Sequence, residues 1–233
     1  MKNLAFILVA VLLTVGCTDD SGNQGGYQEL HFIFEKESYN WTPGFSDYLM
    51  ADEVNYKLDS VHTNLPAPLD TIKKSWKLSG NNVNGDLFMY IKRKITGLQP
   101  NKEYVIGYNI SFASNVATDA EGTASSPGTG VYIKAGVSKI EPNKVLQDDG
   151  NYKMNIAKGN QSEAGEDVQV LGNFSNGTEK NEYAHKVLKS TTSFKVTSNE
   201  KGELWFMVGV DSGYEGVTTI YIDRVSFFVY WDL

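Results

Sequence analysis

The sequence predicts an all-β fold, an antiparallel β-sandwich or jelly roll. Three observations predict it. Apolar residues recur with period two in several separate stretches. Turn-forming residues divide those stretches, with Gly at 22 of 233 positions. No stretch of ten or more residues carries a helical apolar stripe. Strands recurring between turns are the pattern of a sandwich or jelly roll.

The elements follow in order. Leu30, Phe32 and Phe34 alternate with polar residues and predict a first strand. Tyr104–Ser114 is the clearest strand: Tyr104, Ile106, Tyr108, Ile110 and Phe112 share one face, which predicts contact with the core. Leu98–Lys102 before it is a turn in which Pro100 pre-sets one dihedral. Val131, Ile133, Ala135 and Val137 predict another strand, and Leu204, Phe206, Val208 and Val210 one more. Val217–Trp231 is apolar on both faces, as in a central strand covered on both sides, with Asp223-Arg224 interrupting it. Asn181–Ser190 reads as one short helix or a strand edge. Four polar loops stand out: Ala113–Gly130, Lys139–Asn151, Lys158–Asp167 and the tight acidic turn Asp211–Gly216. In a sandwich such loops gather at the two ends, where ligands reach them. Asn82-Val83-Asn84-Gly85-Asp86 alternates oxygen side chains as calcium loops do, but its Asn-Gly predicts a hairpin turn.

The N-terminus is a separate segment. Lys2 supplies a positive charge, Leu4–Val15 is an apolar run, and Gly16 and Cys17 close it. That order fits a bacterial signal peptide over residues 1–16. The run is too short to span a membrane, which needs about 20 apolar residues. Cys17 is the lone cysteine of the chain, so an internal disulfide is excluded. A small residue before a lone cysteine resembles the lipobox of bacterial lipoproteins, although the family's usual Leu three places before the cysteine is Thr14 here. The resemblance implies acylation of Cys17 and anchoring to the outer membrane through lipid alone. Thr18–Gly26 has no apolar side chain to bury, so residues 17–26 read as the lipidated cysteine and a tether of roughly 30 Å reach. Asp19-Asp20 resembles the acidic export signal of surface-exposed lipoproteins in the Bacteroides group. Residues 27–233 read as one sandwich domain.

Charge narrows the partners. Removing residues 1–16 leaves 20 basic and 28 acidic side chains, a net of −8. That balance argues against nucleic acid and against a polybasic grip on anionic lipid. A search for catalytic motifs finds none. His31, His62 and His185 lie far apart, and no Gly-x-Ser-x-Gly elbow, His-Glu-x-x-His or phosphate loop occurs. The sequence therefore predicts a protein that is not an enzyme.

A family resemblance adds to this. Phe34-Glu35 followed by Trp41 resembles the opening strand of CenC-like carbohydrate-binding modules. Gly97–Tyr104 running on to Phe112 resembles their central turn and strand, and Ile220–Phe227 their closing strand. The resemblance implies a galactose-binding-like jelly roll with the opening and closing strands side by side. It also implies a structural calcium, with Glu35 and Asp223 as candidate ligands. The family's second Asp is Arg224 here, so an Asp–Arg ion pair is the alternative to the metal. The whole chain resembles an uncharacterised family of bacterial lipoproteins. Sugar binding needs aromatic platforms with polar neighbours. Trp41, Phe45, Asp47 and Tyr48 supply both in one loop-like segment, and Tyr214 is a further candidate. The alternative is that these rings plug the end of the sandwich. The expectation is a non-catalytic surface lipoprotein that binds glycan at a loop end. Its rivals are a structural or adhesive protein that binds a cell-surface protein, and a glycan-directed hydrolase.

Overall fold

The computed structural model describes residues 25–122 and 125–232. The signal peptide, Cys17 and the tether up to residue 24 lie outside the described residues. Five strands open the chain: β1 (Gly26–Ile33), β2 (Thr42–Ser46), β3 (Tyr48–Leu49), β4 (Asp59–Asn64) and β5 (Lys74–Asn82). Five more follow: β6 (Leu87–Ile95), β7 (Glu103–Ser114), β8 (Val131–Ser138), β9 (Lys144–Leu146) and β10 (Asn151–Met154). The last five are β11 (Val168–Asn173), β12 (Ala184–Lys189), β13 (Phe194–Thr197), β14 (Leu204–Ser212) and β15 (Gly216–Trp231). Helix among the described residues is one 3-10 turn, Met50–Asp52, running into one α turn, Glu53–Tyr56. The predicted all-β antiparallel sandwich is what forms.

A larger sheet has the order β12-β7-β15-β5-β4, with β1 also on β15 and β13 also on β7. A smaller one runs β11-β8-β14-β6-β2, and β3, β10 and β9 form a third, three-stranded sheet. The opening and closing strands do lie side by side: Gly26 faces Trp231 and Ile33 faces Arg224. β15 changes neighbour along its length. It pairs with β5 as far as Ile222 and with β1 from Arg224 onward. Asp223 stands at the handover, inside a bulge against β7, and its carbonyl accepts Phe34 N–H at 2.9 Å.

The two main sheets share one core. Phe227 of β15 sits at its centre, stacked on Trp41 at 6.1 Å and edge-on to Phe206 of β14 at 4.3 Å. Edge-to-face rings at such separations add to the burial of their area. The predicted face of β7 is buried as expected: Tyr104, Ile106, Tyr108, Ile110 and Phe112 all belong to this core. The outer face of the smaller sheet is covered as well. Phe88, Tyr90 and Met207 pack there against Ile156 and Val168.

Several expectations are corrected. Of the two readings of Asn181–Ser190, the helix is overturned and the strand edge forms: Ala184–Lys189 is β12, the edge strand beside β7. The Asn-Gly turn does not close a hairpin, because β5 and β6 belong to different sheets. Asn82 makes it a bridge between sheets, donating to the carbonyls of Ser212 (2.7 Å) and Tyr214 (2.9 Å) and accepting Asp86 N–H. Lys139–Asn151 contains β9. Asp211 is no turn residue but a fully buried one in β14. β15 is central but covered on its inner face alone, since Arg224 and Tyr230 on the other face are exposed.

Candidate functional site

The loop-end aromatics do not form a site. Trp41 is 2% exposed, against Phe32, Phe34 and Phe227, and Tyr48 is fully buried between Tyr56 and Tyr152. Rings packed in this way offer no face to a sugar. Phe45 and Tyr214 are half-buried and rest on the core. The reading of these rings as plugs describes them better, because large aromatics gain most by burying their area.

Asp47 belongs to a buried ionic ladder that no sequence motif announced. It lies between β2 and β3 in the left-handed region, at φ 62. Lys134 of β8 meets Asp211 at 2.9 Å, and Lys158 meets the same Asp211 oxygen at 2.9 Å and Asp47 at 3.2 Å. Lys153 then joins Asp47 (3.2 Å) to Asp86 (2.7 Å). Burial pulls the Lys134 pKa down, with Asp211 opposing. Burial also acts against the charge on Lys158, but Asp211 and Asp47 outweigh it and the net shift is upward. Burial raises the Asp47 pKa against the pull of Lys158 and Lys153. The ladder fastens the segment carrying Lys153 and Lys158 to the outer face of the smaller sheet. Its alternating charges pair with one another, although one oxygen each of Asp86 and Asp211 is buried without a hydrogen-bond partner.

The concave, accessible chemistry lies elsewhere, on the open face of the larger sheet. Strand alternation puts Tyr27, Glu29, His31 and Ile33 of β1 on that face, beside Tyr230, Phe228, Ser226 and Arg224 of β15. At one end Tyr27 and Tyr230 are 49% and 46% exposed, with ring centroids 4.7 Å apart. The Tyr27 hydroxyl donates to Glu29, whose other oxygen lies 2.7 Å from His31 Nε2. These two contacts lower the Glu29 pKa, the tyrosine bond most. They also hold the Tyr27 ring in place before any ligand arrives. Trp231 lies over Gly26, where a side-chain carbon would collide with the indole. A cavity of about 420 Å³ opens here, lined by both tyrosines, Trp231, Lys102, Glu103 and Asp232.

Further along the same face a second cavity, of about 410 Å³, opens where β5 hands over to β1. Glu35 and Asp223, the residues singled out for calcium, both line it. Calcium takes six to eight oxygen ligands. The cavity offers two carboxylates among Lys73, Lys74, Lys189 and Arg224, and no group of three or more His, Cys, Asp or Glu suited to a metal occurs among the described residues. Nor does Asp223 pair with Arg224: its nearest ionisable neighbour is His185, at 3.7 Å. The sequence did carry a signal for this face. Tyr221, Phe228 and Tyr230, at outward positions of Val217–Trp231, were visible, but apolarity on both sides of a strand reads as burial.

No protein-family description and no curated protein matches the chain. Comparison with solved structures gives distant likeness alone. The carbohydrate-binding module TmCBM61, in complex with beta-1,4-galactotriose, is 13% identical over 81% of this chain and 87% of its own, at a TM-score of 0.32. TmCBM27, a carbohydrate-binding module studied for mannan recognition, is 12% identical over 87% of this chain and 98% of its own, at 0.37. The enzymatically active domain of bacteriophage CBA120 tailspike protein 4 is 14% identical over 82% of this chain, at 0.34, and the chain spans 20% of it. Likeness this distant carries no residue correspondences.

Proposed function

We propose that the chain is a non-catalytic glycan-binding domain, held at the bacterial outer membrane by lipid on Cys17, and that glycan lies along the open face of the larger sheet. The observation that carries this reading is the Tyr27–Tyr230 pair. Its two rings are half-exposed, 4.7 Å apart and set in a concavity beside Lys102, Glu103 and Asp232. Sugar rings are apolar on their faces and hydroxylated at their edges, so stacking rings beside charged hydrogen-bonding groups suit them. The site differs from the loop end expected from sequence, because Trp41 and Tyr48 are in the core and Phe45 and Tyr214 rest half-buried against it.

Affinity electrophoresis against a panel of plant and microbial polysaccharides tests the proposal. Tyr230→Ala and Tyr27→Ala are expected to weaken binding roughly tenfold each, about 1.4 kcal/mol, within the range for one aromatic contact. Their melting temperatures should stay at the wild-type value, since both rings are exposed. Binding that survives the double variant would refute the site, and sugar released from a bound polysaccharide would refute the non-catalytic part. Intact-mass measurement of membrane-extracted protein tests the anchor: an unmodified Cys17 would remove it.

A further inference from the structure

We infer that the second cavity of the same face makes the domain selective for acidic glycans, with a sugar carboxylate or sulfate ester seated among its cations. This rests on the glycan reading above and deepens it. Lys73, Lys74, Lys189 and Arg224 line the cavity, all exposed, with His185 beside them. They come from three separate parts of the fold: the approach to β5, the far strand β12, and the bulge of β15. Their convergence is unusual in a chain of net charge −7. Among the described residues Lys73 alone of the four has an ion pair, a long one of 3.8 Å to Glu35. Lys74, Lys189 and Arg224 keep their full donor capacity. Arg224 supplies the planar fork that matches a carboxylate or sulfate in two parallel bonds.

The rest of the cavity suits the remainder of a sugar. Asn109 and Ser111 of β7 offer neutral hydrogen-bonding groups, while Ile33 and Val187 offer apolar contact. One carboxylate oxygen of Asp223 is buried at the base of this cavity, without a hydrogen-bond donor and 3.7 Å from His185. Arg224 and Tyr230 are six positions apart on one strand and face the same way, so the cavity lies about 20 Å from the aromatic pair. An oligosaccharide lying along β15 reaches both, whereas a monosaccharide reaches one. The aromatic pair has Glu103 and Asp232 beside a single Lys102, so the cationic cavity is where an acidic chain gains over a neutral one.

The experiment titrates the full-length protein with matched polysaccharides by calorimetry: polygalacturonate, alginate and chondroitin sulfate against galactan, mannan and fully methyl-esterified polygalacturonate. At least one acidic polymer should bind more tightly than every neutral one, and added salt should weaken it, because exposed charges are screened within about 8 Å at physiological ionic strength. The double variant Arg224→Gln/Lys189→Gln should lose roughly ten- to a hundredfold affinity for the acidic polymer, the size of a lost charge-assisted hydrogen bond. It should leave any neutral binding unchanged, whereas Tyr230→Ala should weaken both. Both substituted charges are exposed, so melting temperature serves as the check on folding. Binding confined to neutral polymers, or acidic binding that survives the double variant, would overturn this inference and leave the glycan reading standing. Binding to no polymer would overturn both.

Discussion

Replacing Asp211 by Asn should be among the most damaging single-atom changes this fold can suffer. The side chain keeps its shape and loses its charge. In the native protein one Asp211 oxygen receives Lys134 Nζ at 2.9 Å, Lys158 Nζ at 2.9 Å and Gln161 N–H at 3.0 Å. After the change Lys158 still has Asp47, but Lys134, fully buried, keeps only the carbonyls of Lys158 and Glu163. Removing one partner of a buried pair costs about 3–5 kcal/mol, since a charge is left uncompensated. For a domain of this size that is a fall in melting temperature of roughly 6–20 °C. An internal control comes from Glu103–Lys195, a pair 58% and 68% exposed at 3.2 Å. Glu103→Gln should cost well under about 1 kcal/mol. Thermal and urea unfolding followed by circular dichroism measure both. Adding Lys134→Met to Asp211→Asn should recover part of the loss by removing the stranded charge. A Asp211→Asn protein as stable as Glu103→Gln, or a double variant no better than the single, would refute the reasoning.

Two further outcomes follow from burial. Burial lifts the Tyr90 pKa from 10.0 to about 12. The phenol ionises later in the folded state than in the unfolded chain. Its contribution to stability is therefore intact below pH 10 and is lost as the pH rises toward 12, by roughly 2–3 kcal/mol. Tyr90→Phe should flatten that part of the stability profile, and an unchanged profile would count against it. Trp41→Ala should destabilise by about 3–5 kcal/mol, as for a large ring removed from a core. Glycan affinity measured below its melting temperature should stay at the wild-type value, and a selective loss of binding would restore Trp41 as a site residue.

The strands were legible where one face is core and the other solvent. Tyr104–Ser114 alternates because β7 has the sandwich interior on one side only. The same logic failed at Val217–Trp231. Its outward positions include Tyr221, Phe228 and Tyr230, and aromatic residues on an open face look in sequence like a second buried face. Trp41 and Tyr48 failed in the opposite sense: rings near polar residues and Gly looked like a platform, yet other aromatic rings close around them in the interior. The ionic ladder was illegible for a different reason. Asp47, Lys134, Lys158 and Asp211 are brought together by four separate segments, and no local pattern distinguishes a buried charge from a solvated one. The cationic cavity was hidden likewise, because it is created by the handover from β5 to β1.

The pairing of β1 with the end of β15 also sets how the domain responds to tension. Gly26 and Trp231 are partnered, so a pull on the chain upstream of Gly25 against a load held at the sheet face acts on the last rung of an antiparallel ladder. Antiparallel rungs loaded at their ends open in sequence, as a zipper does, instead of sharing the force. The next rung carries Tyr27 and Tyr230 themselves. Under strain the Tyr27–Tyr230 pair would part while Phe227 and its neighbours stay packed in the core.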